Sequence, residues 1–529
     1  MMAHLVGRPL EPPPAATVRE LLALRAESAR PWLFFYQGKG SPTPLSFADA
    51  DALASRWAVA LREAGVGHGD RVALVLPNGP DFIGAFFGAH QVGATPVPLP
   101  WPVVPFGLLA LPTDVQGALT VAAPRVLVAP GPVTGTSVPV LSAPAGPRAP
   151  AERLERAGAP AFVQFTSGST ARPRGAVLSQ RAALTSAWAM AGALGLTAQD
   201  VGVAWLPFFH DMGLVGVVLS SLAAGFPVHV LPPGEFLLRP SRWLELLSEA
   251  RATVTVAPNF AFDLVLRRAS SAFASLDLSR LRFVLNGSEP VLRRTVDGFQ
   301  RAGAVAGLRR GAVLPVYGLA ENALGVAFQQ EGAPDADVVV DGRSVPSVGV
   351  PLPGMEVAVR RPDGRVALAG EEGEVTVRGP TVMDGYLGDD EATARALRNG
   401  WLWTGDRGLV QGGRLYVTGR EKELVIKAGR KFHPADIEQL VAEVVDAPPN
   451  GVAAFSVLRE AAGGEELVVV VELRRKDEGD VARRIRGRLS EVLGVMVDRV
   501  ELVGAGDLPR TTSGKLRRGE CIARFGARS

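Results

Sequence analysis

The run Phe165-Thr166-Ser167-Gly168-Ser169-Thr170-Ala171-Arg172-Pro173-Arg174-Gly175 is the strongest local chemical signal in the chain. Its hydroxyl residues around Gly168 can offer backbone N–H and side-chain O–H donors to one anion, and Arg174 adds a charge-assisted contact. No Gly-Lys-Ser/Thr closes the run, which excludes a Walker-type nucleotide loop. Taken alone, it is equally an ordinary polar loop. Further polar segments follow in order: Phe208-Phe209-His210-Asp211-Met212-Gly213-Leu214, Asn286-Gly287-Ser288-Glu289-Pro290, Tyr317-Gly318-Leu319-Ala320-Glu321 and Trp403-Thr404-Gly405-Asp406. Then come Gly419-Arg420-Glu421-Lys422-Glu423 and Pro509-Arg510-Thr511-Thr512-Ser513-Gly514-Lys515. Arginine outnumbers lysine by 50 to six, and five of the six lysines lie after residue 420. A lysine embedded in such a segment is therefore harder to dismiss as solvated surface.

These segments need a scaffold. The chain has 529 residues, 47% apolar and 21% charged, which predicts a globular protein of two or more domains. A net charge of +3 is too small to nominate a nucleic acid partner. The single cysteine, Cys521, excludes an intramolecular disulfide and a Cys-rich metal site, and it fits a reducing compartment. Residues 1–17 lack an apolar signal core. The stretch 212–234 has no Asp, Glu, Lys or Arg, but Pro227, Pro232, Pro233 and His229 interrupt it. It reads as a buried helix, a turn and a buried strand rather than a membrane span. A cytoplasmic protein is expected.

Leu53, Trp57 and Leu61 recur on one face of a predicted helix over 45–65. A strand at 72–76, a helix at 81–92 and a strand at 95–99 follow. The rhythm returns at 181–194, 201–205, 213–222, 228–231 and 241–250, which predicts α/β layers with mainly parallel sheets. The Pro- and Ala-rich stretches 100–115 and 130–150 read as surface loops. From 348 onward short strands and turns predict an antiparallel β region. After 420 a compact α+β unit is expected, with helices at 434–445 and 480–493 and strands at 452–458 and 467–473. The expected fold class is α/β: a large N-terminal domain, 1–419, of layered α/β subdomains plus a β-rich subdomain, and a small α+β C-terminal domain, 420–529.

In order and spacing the segments resemble those of the adenylate-forming superfamily, which includes acyl-CoA synthetases, peptide-synthetase adenylation domains and luciferases. The likeness covers essentially residues 30 to 520. His-Asp-Met-Gly-Leu at 210–214, Phe-Leu-Leu-Arg-Pro-Ser-Arg-Trp at 236–243, Ala-Pro-Asn-Phe-Ala-Phe at 257–262, Asn286 to Pro290 and the Tyr-Gly-Leu-Ala-Glu form at 317–321 are most similar to fatty acyl-AMP ligases.

The resemblance implies a reaction in which a carboxylate attacks the α-phosphorus of ATP, expels pyrophosphate and leaves an acyl adenylate. The nucleophile is already anionic at pH 7, so the chemistry needs charge neutralisation and alignment more than a base. Lys515 is then the catalytic cation. Thr166, Ser167, Gly168, Ser169, Thr170 and Arg174 hold the β- and γ-phosphates. Tyr317 stacks on adenine, and Gly318, Leu319 and Ala320 carry it; Gly287, Ser288 and Glu289 line the adenine side. Glu321 is the Mg²⁺ ligand. Asp406 accepts the ribose hydroxyls, and Arg420 reaches ribose or phosphate. His210, Met212 and Gly213 lie by the carboxylate and acyl channel, which apolar residues at 212–218 and 260–262 could line. Lys422 marks the hinge, near 420–423, about which the mobile C-terminal domain turns. Without the resemblance each has a plainer role: core tyrosine, structural histidine, surface ion pair, loop lysine or plain core.

Two departures touch the phosphate segment, Arg174 for a usual Lys and Ala171 for a usual Gly, and Lys431 replaces a usual Asn. The segment between Glu321 and Val350 is short for a fatty acyl-AMP ligase, which bears on the acceptor. The expected acceptor is the phosphopantetheine thiol of an acyl carrier protein, since the last 49 residues carry a net charge of +6 that suits an acidic partner. The rivals are an acyl- or aryl-CoA ligase using free coenzyme A and a non-catalytic binding module on the same fold.

Overall fold

The computed structural model describes residues 2–526 apart from 39, 102–108, 144–159, 167–172, 331, 333–336, 341–342, 421–422, 428–429, 446, 449, 460–463, 474–479 and 511–515. A nine-stranded sheet forms its centre, in the spatial order Val350–Pro351, Leu324–Phe328, Val313–Leu319, Phe283–Gly287, Val254–Pro258, Gly202–Ala204, Val228–Val230, Pro31–Phe35 and Thr43–Ser46. The six inner strands are parallel and the flanking pairs are antiparallel. Parallel strands need crossovers, and the crossover helices bury both faces of the sheet, which is why these strands read as nearly unbroken apolar runs. A second, four-stranded parallel sheet holds Thr95–Pro98, Arg71–Leu74, Val126–Val128 and Val140–Leu141. The antiparallel region expected after 348 is a six-stranded sheet that also recruits His4–Val6.

The helix expected at 45–65 is Phe47–Glu63, started by a reciprocal capping box between Ser46 and Asp49. One expectation fails. The Pro- and Ala-rich stretches 100–115 and 130–150 are not wholly loops: the helix Thr113–Ala122 begins inside the first and short strands occupy Val133–Thr134 and Val140–Leu141 in the second, while 102–108 and 144–150 lie outside the described residues. Val115, Ala118, Leu119 and Ala122 sit at helical spacing on the buried face of that helix, a signal that the surrounding prolines obscure.

The charge-free stretch is, as expected, helix, turn and strand, and among the described residues no helix is long and apolar enough to cross a membrane. The turn at Gly225 has φ +80°. The helical part carries an unexpected π turn over Leu214–Leu219. Ser220 Oγ donates to Val215 O at 2.9 Å and Ser221 Oγ to Val218 O at 3.0 Å, satisfying carbonyls around the widened turn.

From Val425 onward the chain has hydrophobic clusters of its own. The strand Gly464–Leu473 pairs antiparallel with Val452–Arg459 and parallel with Arg499–Gly504. Alternate residues of its run Leu467-Val468-Val469-Val470-Val471 face opposite ways. Leu467, Val469 and Val471 pack with Ile437, Val441, Ile485 and Leu489; Val468 and Val470 pack with Phe455, Cys521 and Phe525.

Candidate active site

The polar segments collect at the C-terminal ends of the parallel strands, where open α/β sheets form a crevice. Gly287 ends one inner strand and Tyr317 lies near the end of the next. His210 follows the strand Gly202–Ala204, in a loop held by Asn78. The Asn78 amide donates to Leu206 O at 2.8 Å and accepts from Phe208 N at 2.9 Å. Gln164 Nε2 adds a bond to Phe209 O at 2.9 Å. His210 Nδ1 lies 2.6 Å from Asp211 Oδ1, and its side chain is a quarter exposed. A Cβ at Gly213 would stand 2.0 Å from Pro207 O. The glycine there is demanded by backbone approach rather than by a ligand.

Two linked sets of side chains form the polar floor. Asp406 and Arg420 face each other across an antiparallel strand pair, so that Arg420 Nε donates to Asp406 Oδ1 at 2.9 Å while Tyr317 Oη donates to Asp406 Oδ2 at 2.6 Å. Asp406 is 6% exposed at its side chain and Arg420 58%. Burial, then the Asp406 charge, holds the Tyr317 phenol well above its usual pKa, so it stays a donor. Each carboxylate oxygen has a second lone pair, which leaves Asp406 able to accept from a sugar diol.

The second set is Glu321, Tyr386 and Arg174. Tyr386 Oη donates to Glu321 Oε1 at 2.8 Å. The Arg174 guanidinium stacks over the Tyr386 ring at 5.7 Å, with its Nε 3.9 Å from Asp389 Oδ2. The strand Gly385–Tyr386 pairs with Arg174–Ser179, which in turn pairs with Pro160–Thr166 and sets Thr166 opposite Arg174. The turn carrying Ala320 and Glu321 is held by Ser186 Oγ on Ala323 O (2.6 Å), by Asn322 Nδ2 on Gly325 O (2.7 Å) and by Thr381 Oγ1 on Asn322 Oδ1 (2.8 Å). At Gly318 a Cβ would stand 2.2 Å from Leu324 O, where the strand register shifts.

Burial raises the Glu321 pKa above its ordinary 4.5, against the pull of its own backbone, the Tyr386 hydroxyl and Arg420. Between 4.5 and that raised value the folded protein holds a proton that the unfolded chain has released. Stability therefore falls as pH rises across this window and stays lower above it. Glu321→Gln keeps the acceptor for Tyr386 and removes the charge. Its Tm should exceed that of the unmutated protein at pH 7, and the gap should close below pH 4.5, as read by thermal melts.

Beside the polar floor lies a largely apolar cavity of about 80 Å³. Met190, Met212, Gly216, Val217, Leu324 and Phe328 line its body, and Ser288, Tyr317 and Gly318 line the end next to the polar floor. Ser288 reaches it from a left-handed backbone, φ +71°. The π turn supplies Gly216 and Val217.

The structure thus brings together Tyr317, Glu321, Asp406, Arg420, Arg174 and Thr166, with Met212 and Ser288 at the cavity wall. It corrects other expectations. Phe260 and Phe262 do not line the cavity; they pack in an aromatic core with Trp205, Trp243 and Phe299. The Glu289 carboxylate accepts from Phe260 N at 2.5 Å, at the start of the helix Asn259–Arg268, where a negative charge is favoured. Ser167, Gly168, Ser169, Thr170, Lys422 and Lys515 lie outside the described residues. Tyr386 was not foreseen. Its only sequence signal is that it is one of four tyrosines, placed after a glycine.

An α/β crevice with an apolar cavity on one side and a carboxylate–arginine–tyrosine floor on the other defines an adenylate-forming enzyme. A family model described as "AMP-binding enzyme" matches residues 24–387. A Mycobacterium tuberculosis protein named probable long-chain-fatty-acid–AMP ligase FadD30 is 33% identical over 87% of this chain and 88% of its own. The medium-chain-fatty-acid–[acyl-carrier-protein] ligase JamA of Moorena producens is 31% identical over 97% and 95%. A solved structure from a study of fatty acyl-adenylate ligases of E. coli and L. pneumophila superimposes with a TM-score of 0.87, at 29% identity over 98% and 99% of the two chains. The chain belongs to the AMP-binding enzyme family and, within it, to the fatty acyl-AMP ligases.

Proposed function

We propose that this enzyme joins a medium- or long-chain fatty acid to AMP and passes the acyl group to the phosphopantetheine thiol of an acyl carrier protein. The observation that carries this is the apolar cavity opening beside Ser288, Tyr317 and Gly318, which gives a hydrocarbon chain a dry site next to a nucleotide floor. Asp406 holds the ribose, Arg420 the ribose or α-phosphate, and Tyr317 the adenine. Arg174 and the hydroxyls of 166–170 hold the outer phosphates, and Lys515 neutralises the carboxylate and α-phosphate as they meet. His210 flanks the reacting carboxylate. The division falls at 419/420, with Lys422 in the hinge.

Mg²⁺ fits Glu321. Among the described residues no cluster of three or more His, Cys, Asp or Glu is arranged to hold a metal unaided. A Mg²⁺ that arrives with phosphates needs only one or two carboxylates, and a buried carboxylate with a raised pKa gains from a cation. When bound, the ion would neutralise phosphate charge. The carrier protein as acceptor draws support from the basic C-terminal tract and from the printed name of JamA; free coenzyme A is the less favoured acceptor. A lone buried thiol suits a cytoplasmic setting.

Mass spectrometry of reactions containing ATP, Mg²⁺ and a panel of acids, with either coenzyme A or carrier protein, tests the whole. Acyl-carrier product from fatty acids is expected. A coenzyme A thioester as the main product would replace the acceptor, and no adenylate from any acid would sink the enzyme assignment.

The cavity makes a narrower prediction. A Cβ at Gly216 would stand 3.0 Å from Leu324 Cδ2, so a larger side chain must project into the cavity or displace Leu324. Gly216→Leu should shorten the longest accepted acyl chain by several carbons while leaving shorter acids nearly as good. An unchanged chain-length profile would remove the cavity from acyl binding.

A further inference from the structure

Arg517 and Asp114 are 403 residues apart, yet Arg517 Nη2 meets Asp114 Oδ2 at 2.5 Å. We infer that this ion pair is a positioning device for adenylation, holding the segment that carries Lys515 against the phosphate hairpin. The inference rests on the role proposed above for Lys515.

Both partners are braced. Asp114 lies in the first turn of the helix Thr113–Ala122, where its charge also favours the helix terminus. One turn further on, Gly117 lies against Pro173; a Cβ there would touch Pro173 Cγ at 3.2 Å. Asp114 is thereby mounted beside the strand Arg174–Ser179 that begins with Arg174. On the other side, Arg517 Nη1 binds Glu520 Oε1 at 2.7 Å, Arg517 N donates to Pro509 O at 2.9 Å, and Arg517 O accepts from Cys521 N at 3.0 Å. Arg510 and Leu516 pair as an antiparallel bridge, tying the two ends of the segment that contains Lys515. Lys515 precedes Arg517 by two residues in the chain.

The side chains are 23% and 28% exposed, so solvent screens the pair less than it screens a surface ion pair. Arg267 Nη1 on Ala447 O (2.8 Å) and Arg294 on Glu443 (3.4 Å) also cross between the N-terminal body and the residues after 420. Only the Asp114 pair lies two residues from Lys515. Any turn of the C-terminal unit about 420–423 that carries Arg517 away from the N-terminal body must break it. The pair therefore favours the arrangement for adenylation and contributes nothing once the unit has turned for acyl transfer.

The test separates the two half-reactions. ATP–pyrophosphate exchange reads adenylation; carrier loading from chemically supplied acyl adenylate reads transfer. D114N and R517Q should each lower exchange about tenfold, as for loss of a charge-assisted bond. The double variant should be no worse than either single one, and the swap D114R with R517D should recover part of the loss. Loading from supplied adenylate should be unchanged or faster. Exchange equal to that of the unmutated enzyme, or a parallel fall in exchange and loading with a lowered Tm, would overturn the inference. K515A serves as the control. Loss of exchange in K515A with full exchange in D114N removes the ion pair alone, whereas exchange retained by K515A removes the role of Lys515 and the inference with it.

Discussion

Lys515→Ala should abolish most adenylation while leaving ATP binding nearly intact. The acid approaches the α-phosphorus as a carboxylate, and the phosphate it approaches is also anionic. Two unit charges 4 Å apart in an effective dielectric of 20 repel by about 4 kcal/mol. A pre-placed ammonium offsets that repulsion only where the two anions converge, so its loss falls on the chemical step. Loss of one such electrostatic group costs about 10²–10³ in rate. The ground-state nucleotide contacts assigned to Asp406, Arg420 and Tyr317 remain. Pyrophosphate exchange should therefore collapse while the Kd for ATP, measured by calorimetry, changes little. Arginine is a poor substitute, because a planar fork does not reproduce a compact point charge. Exchange at the unmutated rate would end the assignment.

Asp406 should show the opposite kinetic signature. It is the shared acceptor of Tyr317 and Arg420, and its position fits it to take a ribose diol. Asp406→Ala takes from the buried Tyr317 hydroxyl its charged acceptor and leaves it only the Thr404 side chain, at a cost of about 1–3 kcal/mol. Arg420 remains more than half exposed and stays solvated, which limits the damage to the fold. The larger effect should be on nucleotide affinity: the KM for ATP rises about 100-fold for Asp406→Ala and about tenfold for Asp406→Asn, which keeps the shape and one acceptor oxygen. A drop in kcat with KM unchanged would move Asp406 from binding into positioning.

Part of this arrangement is legible in the sequence, because the polar segments follow short apolar runs, of which the one at 201–205 reads as a buried strand. The runs at 202–204, 254–258, 283–287 and 313–319 are successive parallel neighbours, so the residues after them share one edge. Asp406 and Arg420 were each assignable to the ribose side, but their direct pairing follows from a hairpin register that residue types do not encode. Tyr386 escaped notice because it acts through a cross-strand neighbour, Arg174, and a turn residue, Glu321, both distant in sequence. The helix Thr113–Ala122 was hidden by flanking prolines, and with it the position of Asp114. Phe260 and Phe262 were candidates for the acyl channel because apolar character alone does not say which face of a helix looks into a cavity and which into a core. The π turn is equally silent in sequence, since it depends on where two serine hydroxyls find carbonyls.

Cys521, the only thiol of the chain, lies buried between Phe455, Val470 and Phe525, and burial pushes its pKa up to about 12. At pH 8 only about one molecule in 10⁴ carries the reactive thiolate. To an alkylating reagent the folded protein therefore offers almost no sulfur until the cluster around Cys521 comes apart. That cluster belongs to the C-terminal residues alone, so labelling of the native thiol counts openings of this unit even while the N-terminal body stays folded. Against so quiet a background, one added surface cysteine on each side of residue 420 would carry a fluorophore pair, and the swing of the smaller unit could be timed during a single turnover.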